Sequence, residues 1–377
     1  EPGSSSFVLL RLRPGVMRSP RSGTWWVFLL RAPIFCFAVS ETGLPFRCVK
    51  RWFDRNFVFG VPVTEAPALL DRLALTPQRV EALLGQVPAH VRTHRPEGRW
   101  SIQEHAGHLF DLEALLDLRL DDFDRGEPVL HAADLANRRT HEARHNERAP
   151  ADLVATFRTA RMAIHARLAK LSPRDLARVA RHPRLDQQMS VVDLCYFVAE
   201  HDDHHLAAMN EIAARIGTWP ECAVRLLEAV DVARPWLLAL NEERTADRPA
   251  LGKWSSREIL GHLIDSASNN HQRFVRGRWQ EDLVFQGYDQ DAWVAAQGYQ
   301  ETSWPELVAL WTRYNRHLAR VMASVPTDVR QTPRARHNFD RLAYRPVAAD
   351  QPSTLEYFMD DYVLHLEHHL RQIRQRG

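Results

Sequence analysis

RWSIQEHAGHLFDLE, residues 99–113, and KWSSREILGHLIDSA, residues 253–267, align without a gap as W-S-x-x-E-x-x-G-H-L-x-D. Trp100, Ser101, Glu104, His108 and Asp111 of the first stretch match Trp254, Ser255, Glu258, His262 and Asp265 of the second. Ser-x-x-Glu before an apolar run is a capping box: the serine oxygen accepts one free backbone N–H and the glutamate returns to the cap. Each stretch therefore opens an amphipathic helix. A second pair follows at similar range. SVVDLCYFVAEHDDHHLAAMNEI (190–212) matches STLEYFMDDYVLHLEHHLRQI (353–373) in pattern, setting His201, His204 and His205 against His365, His368 and His369. The interval from His108 to His201 is 93 residues, and from His262 to His365 it is 103. The chain reads as a duplicated domain.

Apolar residues at three- and four-residue spacing predict four helices per copy, near 65–87, 101–124, 150–171 and 190–215, then 220–243, 255–280, 303–324 and 353–375. No alternating β-branched run is long enough to argue a sheet. The expected fold is all-α: two tandem four-helix bundles, residues 61–217 and 218–377, joined around Gly217 to Pro220. The long second-to-third connections, 125–149 and 281–302, imply crossovers rather than short hairpins.

Residues 1–60 differ from the rest. They carry nine Lys and Arg against three Asp and Glu, which leaves residues 61–377 with four acidic charges in excess. The folded part is thus no polyanion binder by composition, and no nucleic-acid partner is expected. WWVFLLRAPIFCFAV (25–39) superficially resembles a signal peptide, but Arg31 and Pro33 interrupt it and it is too short to span a bilayer. The expectation is a weakly structured or mis-assigned N-terminal extension before a fold that begins near Val61, with no membrane association. Cys36, Cys48, Cys195 and Cys222 lie far apart with no C-x-x-C, as free thiols in a reducing, cytoplasmic compartment would.

Four residues turn a helix through about 400°, so His201 and His205, like His365 and His369, stand on one face. A solvated helix end can also write such a pair, but facing helices of a bundle bind metals through inward side chains. One histidine from the second helix and the pair from the fourth give His108, His201 and His205, and His262, His365 and His369. Three nitrogens leave an open coordination position, where zinc, nickel or iron(II) would lower the pKa of a water or thiol. His204 and His368 point about 100° away and suit the surface or an outer layer. Asp111 and Asp265, one turn past the helix-two histidines, can orient a ligand or look like plain surface acids. Asp202, Asp203 and Glu367 are further acid–base candidates.

W-S-x-x-E-x-x-x-H-L followed by H-x-x-H-H resembles the DinB superfamily over roughly residues 65–375 in two copies. That family includes YfiT-like proteins proposed as metal-dependent hydrolases and bacillithiol S-transferases, with mycothiol-dependent maleylpyruvate isomerase more distant. The resemblance implies a four-helix bundle with a three-histidine divalent metal site, carried onto the same two triads. It also implies a small-molecule substrate and a low-molecular-weight thiol co-substrate. A hydrolase would use the same ligands, and a non-catalytic metal-binding stress-response or interaction module is the rival class. Fusion of two bundles suggests a monomer with an internal pseudo-dimer, or a homodimer.

HEARH at 141–145 is a literal H-E-x-x-H, the metallopeptidase signature, with His141 and His145 as ligands, Glu142 as base and His165 as an available third ligand. Its surroundings are charged on all sides and the second copy has nothing like it near 295–300, so a solvated loop or helix end is expected. YDQDAWVAAQGY (288–299) stands in that place and can line a pocket or simply pack.

Overall fold

The computed structural model describes residues 37–39, 45–47 and 52–376. The chain divides into two units, Glu1–Arg55 and Asn56–Gly377. In the first unit, strands β1 (Phe37–Val39) and β2 (Pro45–Arg47) pair antiparallel. The run 25–36, Cys36 and Cys48 lie outside the described residues.

The second unit holds both copies. The first is built from α1 (Ala66–Gln86), α2 (Ile102–Asp111), α3 (Glu113–Arg125), a short α4 (Arg138–Glu142), α5 (Pro150–Leu168) and α6 (Val191–Ile216). The second is built from α7 (Glu221–Leu238), α8 (Ser256–Gly277), a short α9 (Gln290–Ala296), α10 (Trp304–Ser324) and α11 (Leu355–Arg374). Ser101 with Glu104 and Ser255 with Glu258 form the capping boxes their spacing predicts. Ser190 forms a third with Asp193. The second helix of copy one differs from its expected single span, because a turn at Leu112 separates α2 from α3. Gly126, at φ 70°, ends α3 in the left-handed conformation that glycine adopts without a Cβ clash.

In each copy the first and second helices pack chiefly against the third and fourth: α1 on α5 and α6, α2 on the same two, α7 on α10 and α11, and α8 on the same two. The order around the bundle is therefore first, third, second, fourth. This revises the expected crossovers. The long second-to-third connections join neighbours, while the diagonals are spanned by the first-to-second and third-to-fourth connections. A short hairpin, β3 (Val179–His182) with β4 (Gln187–Ser190), lies in one of these diagonals and delivers the chain to the α6 cap. Sequence periodicity missed it because only Ala180, His182 and Met189 turn inward, too few to write an alternation.

Both bundles share one apolar core running from Val80 to Ile373. The α7 face closes over the segment after α1, where His90 Nε2 lies 3.1 Å from the Trp219 carbonyl and the Glu97 amide donates to Asp231. Cys195 and Cys222 are free and buried, and burial pushes both thiols up to about 12. No helix among the described residues is long and apolar enough to cross a membrane.

Candidate metal centre

The capping boxes fix where α2 and α8 begin, and hence which face carries His108 and His262. Each histidine is buried against the pair on the fourth helix. His108, His201 and His205 bring one ring nitrogen apiece within 4.8 Å of one another, and so do His262, His365 and His369. His205 Nε2 stands 3.1 Å from His201 Nε2; His365 Nε2 stands 3.2 Å from His262 Nε2 and 3.1 Å from His369 Nε2. Nitrogens about 2.0–2.1 Å from a single ion, at tetrahedral or octahedral angles, are about 2.8–3.4 Å apart. The spacing fits a shared cation.

The outward nitrogens say which tautomer is present. The Thr140 hydroxyl donates to Asp111 Oδ2 at 3.0 Å, so at 3.0 Å from His108 Nδ1 it accepts, and His108 carries its proton there. His108 Nε2 is then a bare lone pair facing the triad. His205 Nδ1 lies 2.7 Å from His105 Nδ1, and His369 Nδ1 donates to Gln372 Oε1 at 2.9 Å. Burial, the largest cause, holds the triads neutral: His108 falls to about 4 and His262 to about 3, and His201, His205 and His365 lie well below the usual range. Neighbouring histidines push the same way. Uncharged imidazoles whose lone pairs converge are what a divalent ion requires. Trp100 covers one triad, its ring 4.6 Å from His108, and Trp254 covers the other at 5.0 Å from His262.

The carboxylates named as acid–base candidates are otherwise engaged. Asp111 Oδ2 accepts from Thr140 and from His145 Nε2 at 2.8 Å, while Oδ1 faces Arg139 at 3.4 Å. Asp265 Oδ1 accepts from Tyr299 at 2.6 Å and from Gln297, and burial still holds its carboxyl above the usual range. Asp202 points into the core, taking Arg161 at 2.6 Å and Thr76 at 2.8 Å. Asp203 pairs with Arg72 and Arg79, and Glu367 with Arg225. His204 lies beside His205, and His368 accepts from Gln372.

HEARH is not a metallopeptidase helix but a helix end, exposed at His141, Glu142 and Arg144 and buried at His145. The helix stops at Glu142, Arg144 takes φ 50°, and the i, i+4 stacking of His141 on His145 is never made. His145 is buried and turned to Asp111, His141 lies near Trp100, and Glu142 is exposed. His165 sits half-buried on α5, outside both triads. The segment's role is support, through Thr140 and His145. In the second copy Tyr299 takes the place of His145: a Cβ on Gly107 would meet the His145 ring at 2.2 Å, and one on Gly261 would meet the Tyr299 ring at 2.1 Å. Thus the aromatic connection packs and holds Asp265. His105, Thr140 and Gln372 escaped sequence reasoning, because none of them recurs at the matching position of the other copy, where Ile259, Val294 and Ala208 stand.

YfiT of Bacillus subtilis (strain 168), named as a proposed metal-dependent hydrolase, is 24% identical over 188 residues, covering 50% of this chain and 96% of its own. A solved structure of Bacillus subtilis YfiT, described as an unusual four-helix bundle, aligns with TM-score 0.38 at 16% identity over 45% of this chain and 95% of its own. The DinB superfamily model matches twice, over residues 72–209 and 225–373, each match containing one triad. The chain belongs to the DinB superfamily.

Proposed function

We propose that each bundle holds a divalent metal ion on its three histidines, His108/His201/His205 and His262/His365/His369, and that the protein is a metal-dependent enzyme that transfers a small thiol to an electrophilic small molecule. The observation that carries the metal is the convergence of ring nitrogens in each triad, with Thr140, His105 and Gln372 at the outward nitrogens of His108, His205 and His369. Bound there, the ion would supply Lewis acidity that lowers the pKa of a nucleophile at its open position. The protein's own contribution is to fix the imidazoles, keep them unprotonated and exclude water through the Trp100 and Trp254 rings.

Thiol transfer is favoured over hydrolysis by the state of the carboxylates. Asp111, Asp202, Asp203 and Glu367 are tied to other side chains, and of the five named carboxylates only Asp265, in copy two, keeps a buried oxygen without a partner, so copy one offers no free carboxylate to take a proton from water. A thiol starts from a pKa near 8.5 and asks less of a base than water does. Hydrolysis is the second reading, favoured by the name of the Bacillus relative. The test is to incubate the metal-loaded full chain with a panel of low-molecular-weight thiols and alkyl halide or epoxide acceptors, beside ester and amide substrates. Metal-dependent thiol consumption lost in His201→Ala and His365→Ala supports transfer. Ester or amide cleavage without thiol consumption would replace it with hydrolysis, and metal binding with no turnover would leave a binding module.

A further inference from the structure

The two triads have the same ligands but different surroundings. Helix two and the connection after it run in register between the copies. Ser101 Oγ donates to Asn146 at 2.6 Å where Ser255 Oγ donates to Gln300 at 3.2 Å, and His145 meets Gly107 where Tyr299 meets Gly261. The same register sets Thr140 opposite Val294 and His105 opposite Ile259. Val294 is buried, as Thr140 is, but has no hydroxyl. In copy one the Thr140 hydroxyl bridges His108 Nδ1 and Asp111 Oδ2. In copy two the corresponding atoms, His262 Nδ1 and Asp265 Oδ2, are buried without a hydrogen-bond partner among the described residues.

This difference acts on the ligand itself. A hydrogen bond from the outer nitrogen of a ligating imidazole to a carboxylate, here relayed through one hydroxyl, fixes the tautomer and ring angle and raises the basicity of the inner nitrogen. His108 has that support and His262 lacks it. The fourth-helix ligands are closer to parity, because His205 finds His105 and His369 finds Gln372. Resting on the metal reading above, we infer that the two sites are unequal: copy one is the tight site, copy two the weak and exchangeable one, and Thr140 is the positioning residue that separates them.

The test titrates zinc into the metal-free full chain against a competing chromophoric chelator, with His108→Ala and His262→Ala assigning each step to a copy. Two one-equivalent steps are expected, the tighter belonging to copy one by about 10–100-fold, the usual effect of such outer partners. Thr140→Val should weaken that step by about the same factor, Thr140→Ser should restore it, and Val294→Thr should tighten the copy-two step. Thermal melts of the same metal-free variants separate this from a loss of packing, which would lower stability without moving the two affinities apart. Two equal steps insensitive to Thr140→Val and Val294→Thr would overturn the inference and leave the metal reading standing. Failure to bind zinc at either triad would overturn the metal reading itself.

Discussion

Beneath the two triads the bundles solve the same packing problem with opposite chemistry. Copy one buries Arg161 between Glu113 and Asp202, at 2.6 Å from each, with a further bond to the Leu73 carbonyl. In copy two the corresponding positions are Asn315, Ala267 and Leu366, and a Tyr362 hydroxyl donates to Asn315 at 2.5 Å. The exterior contact between first and fourth helices is kept: Arg72 with Asp203 in one copy, Arg225 with Glu367 in the other. A duplicated backbone thus tolerates either a satisfied ionic core or a neutral one, because what burial punishes is an unpaired polar group. The ionic core is the more fragile to single changes.

Arg161→Met should therefore cost the most, about 3–5 kcal/mol, since it strands two buried carboxylates. Asn315→Ala in the other copy should cost about 1–3 kcal/mol, the penalty for one orphaned hydroxyl. Urea denaturation of both variants measures the difference, and equal losses would break the comparison.

Acid acts on both copies with one sign. The triad histidines are neutral when folded, with His108 near 4 and His262 near 3, against an ordinary 6.5. Between pH 6.5 and about 4 the unfolded chain takes up protons there that the folded chain does not. Stability of the metal-free protein is then full above pH 6.5 and falls as the pH drops, which denaturation midpoints across that range will show. A flat profile would mean that the triad histidines titrate in the fold as they do in the unfolded chain.

Gly107→Ala and Gly261→Ala sharpen the register between copies. Each added methyl meets a buried ring, His145 or Tyr299, and should cost about 1–3 kcal/mol in thermal denaturation. A penalty in one copy alone would contradict the placement of Tyr299 opposite His145. Tyr299→Phe, which removes one hydrogen bond to Asp265, is the smallest, about 1 kcal/mol.

Much of this was legible in the sequence because it depends on spacing along helices. The capping boxes, the i, i+4 pairs and the repeat locate the bundles and the six histidines without reference to distant contacts. What stayed hidden depends on residues brought together by connections. Asp202 looks like a site acid beside His201, yet helix geometry turns it about 100° into the core, onto Arg161. HEARH carries a peptidase spelling, yet a break after Glu142 turns His145, with Thr140 and Arg139 before it, toward Asp111 rather than toward a shared ion. The β3–β4 hairpin is too short to announce itself.

The most direct test of two separate three-histidine centres is equilibrium dialysis of the full chain against excess zinc, with bound metal counted by plasma mass spectrometry for the parent, His108→Ala, His262→Ala and the double variant. Two equivalents, one after either substitution and none after both, is the predicted result. No bound metal, or a stoichiometry that neither substitution changes, would contradict it.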